Sequence, residues 1–151
     1  MKKFELTAES KINIFGKKLF RIKALISFGD VEEGETGGWI EKEENLEQSS
    51  GDAWVYGNAE VYGNARVCGN AKVSGNADYT TIHGFGTQFR TTTFFQCEDK
   101  QIRVSCGCFL GTIPEFREQV KNTREGKIAE EYLMIADLME KHFVKEKESG
   151  E

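Results

Sequence analysis

The chain has 151 residues, of which 38% are hydrophobic and 30% charged, and it carries a net charge of −5. That length suits one domain with a core, the thin apolar supply leaves room for subunit contacts, and the acidic balance excludes general binding to a nucleic-acid backbone, which takes a broad basic face. No apolar run approaches bilayer-spanning length and none follows Lys2 and Lys3, so a soluble cytosolic protein with no membrane partner is expected, with Cys68, Cys97, Cys106 and Cys108 reduced.

Residues 1–48 read as N-terminal strands followed by irregular coils. FEL at Phe4–Leu6, INIF at Ile12–Phe15 and LFRIKAL at Leu19–Leu25 alternate as short strands, with the GKK from Gly16 as a hairpin turn. They are expected to cap the open end of the repetitive segment C-terminal to them, where unpaired strand edges would otherwise face water. EEGETGG breaks the pattern, and Trp39, Ile40 and Leu46 resume it less regularly.

WVYGNAEVYGNARVCGNAKVSGNA then runs from Trp54 to Ala77, one six-residue phrase written four times. Val55, Val61, Val67 and Val73 share one place in it, and Ala59, Ala65, Ala71 and Ala77 another. Each alanine stands two residues before the next valine, so in extended chain both point inward while Glu60, Arg66 and Lys72 between them point out. The Gly-Asn pair in every unit tolerates positive φ and turns the chain. SSGDAW at Ser49–Trp54 keeps Gly51 and Ala53 and reads as a degenerate fifth unit, so regular coils are expected over 49–84. A Gly-Asn meander of antiparallel hairpins competes, but strict six-residue periodicity with an identical inward pair favours stacked coils.

After the repeat, residues 85–112 read as a β-hairpin whose two strands, in TTTFFQCEDKQIRVSCGCF, join near Glu98–Gln101. Residues 113–143 form a predicted helical cap. Thr112 and Glu115 make a capping box, with Pro114 in the first turn, for a helix running to about Arg124. A second helix, from about Lys127 to His142, lines up Ile128, Tyr132, Ile135 and Met139 on one stripe. The polar residues 144–151 are expected to fray.

The repeat units resemble those of hexapeptide-repeat proteins. The flanks, RIKALISFGDVEEGETGGWIEKEENL and TTTFFQCEDKQIRVSCGCFLGTIPEF, are similar to small, mostly uncharacterised bacteriophage and prophage proteins with YGNA repeats. The resemblance implies a mainly β fold: a left-handed parallel β-helix with an N-terminal β cap and a C-terminal β-hairpin plus two α-helices, assembled as a homotrimer. Tyr56, Tyr62, Cys68 and Ser74, beside the corner glycines, would then pack between subunits.

The least repetitive stretch is HGFGTQFRTTTFF. His83, Arg90, Thr91, Thr92 and Thr93, with two glycines among them, offer a guanidinium, hydroxyls and backbone amides suited to a phosphate or carboxylate, and Phe85, Phe89, Phe94 and Phe95 offer apolar walls for a flat base. The competing explanation is that threonine and phenylalanine alternate in strands for packing alone. Cys97, Cys106 and Cys108 provide one tight cysteine pair where structural zinc needs two, so they read as reduced apolar thiols and no metal or cofactor is assigned. The expected function is a non-catalytic, homotrimeric, phage-type protein that sequesters a small anionic, nucleotide-type ligand, an anti-defence sponge, in pockets at subunit interfaces. The alternatives are a hexapeptide-repeat acyltransferase with His83 as general base and a structural or protein-interaction module.

Overall fold

The computed structural model describes residues 2–49, 51–75, 78–97, 99–106 and 109–143. The expected tail at 144–151 and the thiol of Cys108 lie outside the described residues. Among the described residues the chain forms three separate sheets and two helices, so the expected continuous left-handed parallel β-helix is corrected. Strands β1 (Phe4–Ile12), β2 (Lys18–Ala24), β3 (Thr36–Ile40) and β5 (Glu60–Val61) make a mixed sheet in the order β1-β2-β3-β5. The two-residue strands β4 (Trp54–Val55) and β6 (Lys72–Val73) make a parallel pair. Finally, β7 (Tyr79–Phe85), β8 (Arg90–Gln96), β9 (Ile102–Cys106) and β10 (Phe109–Thr112) make an antiparallel sheet in the order β10-β9-β8-β7.

The repeat does send its small apolar residues inward. Val55, Val61, Val67 and Val73 are fully buried, as are Ala59, Ala65 and Ala71 to within a few per cent. At three corners a glycine takes positive φ (Gly57 56°, Gly63 67°, Gly69 66°). A backbone bond closes each turn: Ala59 N to Tyr56 O, Ala65 N to Tyr62 O and Ala71 N to Cys68 O.

Among the described residues parallel stacking goes two layers deep. Trp39 and Ile40 lie over Glu60 and Val61, Leu46 over Val67, and Trp54 and Val55 over Lys72 and Val73. Above these layers β2 returns antiparallel to β3, and below them Ala71 meets Cys97 in an antiparallel bridge. Antiparallel segments thus occupy both ends where further coils would have to stack, which is why no continuous parallel coil forms. A short 3₁₀ turn, Glu43–Asn45, replaces one corner of the upper layer. Its fully buried Asn45 accepts from the Glu41 and Lys42 amides and donates to the Gly63 and Ala65 carbonyls. The carboxamide oxygen thus holds the turn of the upper layer, and its NH2 group joins that layer to the one below.

The N-terminal segment covers a side of the repeat as well as its end. Trp54 occupies the outward place that Glu60, Arg66 and Lys72 hold in later units, yet it is fully buried, with Phe4 and Phe28 edge-on to its ring at 6.3 and 5.3 Å. Tyr56 donates to Asp30 at 2.8 Å, Tyr62 packs on Phe15 and Cys68 is buried, so these three residues beside the corners make contacts within their own chain, while Ser74 is exposed. β1 is one bulged strand rather than two, and Ile14 and Phe15 sit in its exposed turn, held by the Asn13 carboxamide.

The C-terminal half departs from the expected hairpin by gaining strands. β7 pairs with β8 along its length, so the antiparallel sheet begins at Tyr79, inside the stretch expected to be regular coil, and has four strands. Alternation along β8 gives this sheet two faces. Phe95 and the repeat share one core, whereas Phe94, Val104 and the helices share another. Helix α1 (Ile113–Thr123) starts at the Thr112–Glu115 capping box, and α2 (Gly126–His142) buries Tyr132, Ile135, Ala136 and Met139 against it and the sheet.

Candidate functional site

Four of the seven expected site residues, His83, Arg90, Thr91 and Thr93, lie at the junction of repeat and sheet. Strand register puts His83 opposite Thr91 and Thr93 opposite Ser105, so these four side chains share the face of the sheet turned toward the repeat. With Arg90 they line a cleft of about 340 Å³, whose other wall is Asn64 and Arg66 from the repeat. Thr93 is buried and its hydroxyl accepts from the Arg66 amide at 3.1 Å, which pins the repeat to the sheet at the cleft floor. His83 Nδ1 and Thr91 Oγ1 are 2.9 Å apart. The Lys42 ammonium bonds Asn64 Oδ1 at 3.2 Å, adding a third cation beside the cleft. Ser105 hydrogen-bonds the Cys68 thiol, whose pKa burial pushes up, so this cysteine stays a neutral thiol.

Among the described residues no carboxylate lines this cleft. Among the described residues neither Arg66 nor Arg90 makes an ion pair, and Arg90 donates to the neutral Gln88 carboxamide. Two guanidiniums, an imidazole and hydroxyls without a carboxylate make a concave surface suited to a phosphate or carboxylate, even on an acidic protein.

The other expected residues lie elsewhere. Thr92 faces the helices and donates to Cys106 Sγ at 3.2 Å, away from the cleft. Phe94 and Phe95 are fully buried in the two cores and offer no wall to a ligand. Phe89 is 65% exposed in the β7–β8 turn at φ 51°, and Phe85 borders a smaller cleft that shares Arg90 with the first. Cys97 belongs to the repeat core and Cys106 to the other face of the sheet, and among the described residues no group of three or more His, Cys, Asp and Glu is placed to hold a metal.

No known family's sequence pattern and no curated protein matches this chain. The residues of the site therefore carry the whole functional reading. Sequence reasoning missed Asn64, Arg66 and Ser105. Arg66 had one visible signal, as the only guanidinium among the outward places of the repeat, whereas Ser105 depends on the pairing of β8 with β9. Two larger clefts fit an anion less well. One, of about 600 Å³, sets Glu43, Glu44 and Glu47 beside Lys2 and Arg66, and the other, of about 490 Å³ near the start of α1, has Lys100 and Glu140 on its walls. Among the described residues no helix is long and apolar enough to cross a membrane.

Proposed function

We propose that this chain is a cytosolic binding protein that holds a small phosphate-bearing or carboxylate-bearing molecule in the cleft between repeat and sheet. The observation that carries the reading is the convergence there of Arg66, Arg90, His83, Thr91 and Ser105 with no lining carboxylate. A guanidinium fork matches two oxygens of such an anion, and hydroxyls complete the shell. Sequestration of a nucleotide-type signal in a phage-infected bacterium is the version that the resemblance of the flanks favours. The homotrimer is a separate proposal, with Ile12, Ile14 and Phe15, all more than 60% exposed at one hairpin tip, as its apolar contact. A solution mass of one chain would remove it.

Calorimetry against inorganic phosphate and a panel of nucleotides tests the binding reading. Saturable binding to the wild type is expected, and Arg90→Ala should weaken it by about 1.5 to 3 kcal/mol, the cost of a charge-assisted bond. Silence across the panel, or unchanged affinity in the variant, would reject this cleft. Acyl transfer makes a different prediction: acyl-cofactor turnover that vanishes in His83→Ala, where sequestration predicts only weaker binding.

A further inference from the structure

We infer that the ligand carries two adjacent anionic groups, as in a diphosphate or triphosphate, because a second cationic cleft opens on the other side of Arg90. This inference rests on the anion-binding reading above. The second cleft, of about 130 Å³, lies between the β7–β8 turn and the helices. Thr87 and Gln88 line it from the turn, and Arg124 and Tyr132 line it from the end of α1 and from α2.

The turn sits tightly against Tyr132. A Cβ built on Gly86 would lie 2.6 Å from the phenol oxygen, and Gly86 itself adopts φ +80°, so glycine allows both the turn and the close approach. Tyr132 is only 4% exposed, and Arg90 and Arg124 both act electrostatically on its phenol. Glu131 acts on the same phenol but does not line the cleft. Among the described residues Arg124 makes no ion pair, and its guanidinium donates to the neighbouring Thr123 carbonyl at 3.4 Å. Two guanidiniums thus face one small polar space whose lining holds no carboxylate.

Arg90 is the wall common to both clefts, and its guanidinium has donors along more than one edge. It can hold one anionic group with Arg66 and His83 and a second with Arg124 and Tyr132. Groups that share a single guanidinium must lie close together, which points to neighbouring phosphates of one chain rather than to two independent ions.

Titration calorimetry with inorganic phosphate and inorganic pyrophosphate, at matched ionic strength, separates the possibilities. Pyrophosphate is expected to bind at least tenfold more tightly than phosphate. Arg124→Gln, at an exposed position, and Tyr132→Phe, which changes no charge, should each remove most of that advantage and leave phosphate affinity within twofold. If Tyr132→Phe fails to fold, Arg124→Gln decides alone. Equal affinity for the two anions, or a pyrophosphate advantage untouched by the variants, would overturn the two-group ligand while leaving the first cleft intact. Binding of neither anion would remove the anion reading itself, and this inference with it.

Discussion

Phe94 and Phe95 are consecutive on β8 and both fully buried, yet they belong to different cores. On the Phe95 side the core is built from repeated valines and alanines, closed by Trp54, Phe4 and Ile40. On the Phe94 side it is aromatic and aperiodic, with Phe94 and Tyr132 edge-on to Phe116. The repeat half gains order from many small identical contacts, each held by a corner glycine and a parallel backbone bond. The helical half gains it from a few large rings that must find one another. The candidate cleft lies where the halves meet, so each contributes one wall and neither half alone forms the site.

Substitutions in the two cores give the largest effects and separate the halves. Phe95→Ala and Phe94→Ala should each destabilise the protein by about 3 to 5 kcal/mol, the range for emptying a buried aromatic site. Native-state hydrogen exchange is expected to quicken first in the repeat for Phe95→Ala and first in α1 and α2 for Phe94→Ala. Identical exchange patterns in the two variants would mean one cooperative core instead of two. Next in size is Asn45→Ala, which removes four hydrogen bonds, two within the upper layer and two that join it to the lower one. A loss of about 3 kcal/mol in denaturant unfolding is expected, since buried backbone groups are left unpaired.

Tyr79 tests the seam between the halves. It belongs to β7, packs on the repeat core and donates to the Glu60 carbonyl at 2.7 Å. Tyr79→Phe should cost about 1 kcal/mol at neutral pH. Burial raises the phenol's pKa above its ordinary value of 10.0. The folded chain therefore keeps its proton where the unfolded chain loses it. The resulting stability is complete below about pH 10 and falls away as pH rises beyond that value. Thermal unfolding across alkaline pH should show a steeper loss in wild type than in Tyr79→Phe, and parallel curves would place the phenol in water. The smallest effect belongs to the helical half alone: Thr112→Ala, which removes the cap of α1, should cost about 1 kcal/mol in chemical denaturation.

The same contrast explains what could be read from the sequence. The inward Val55, Val61, Val67 and Val73 with Ala59, Ala65 and Ala71, the corners at Gly57, Gly63 and Gly69, the Thr112–Glu115 cap and the stripe of α2 are local or periodic features, and each is where its spacing puts it. Six-residue spacing does not specify how many layers stack, and here antiparallel strands take over after two. The burial of Trp54 in an outward place depends on Phe4 and Phe28 folding across it from far away in sequence. In the site, alternation separates Thr92 from Thr91 and Thr93, but nothing local tells which face of β8 meets the repeat. Arg66 and Ser105 enter the cleft only through that pairing.

The most direct test is a two-dimensional amide NMR titration of the intact protein with inorganic phosphate at constant ionic strength. Saturable shifts should concentrate at Asn64, Arg66, His83, Thr91 and Ser105, with residues from the repeat and the sheet responding at one common affinity. Shifts scattered over surface lysines, or confined to one side of the seam, would contradict an anion site shared by the two halves.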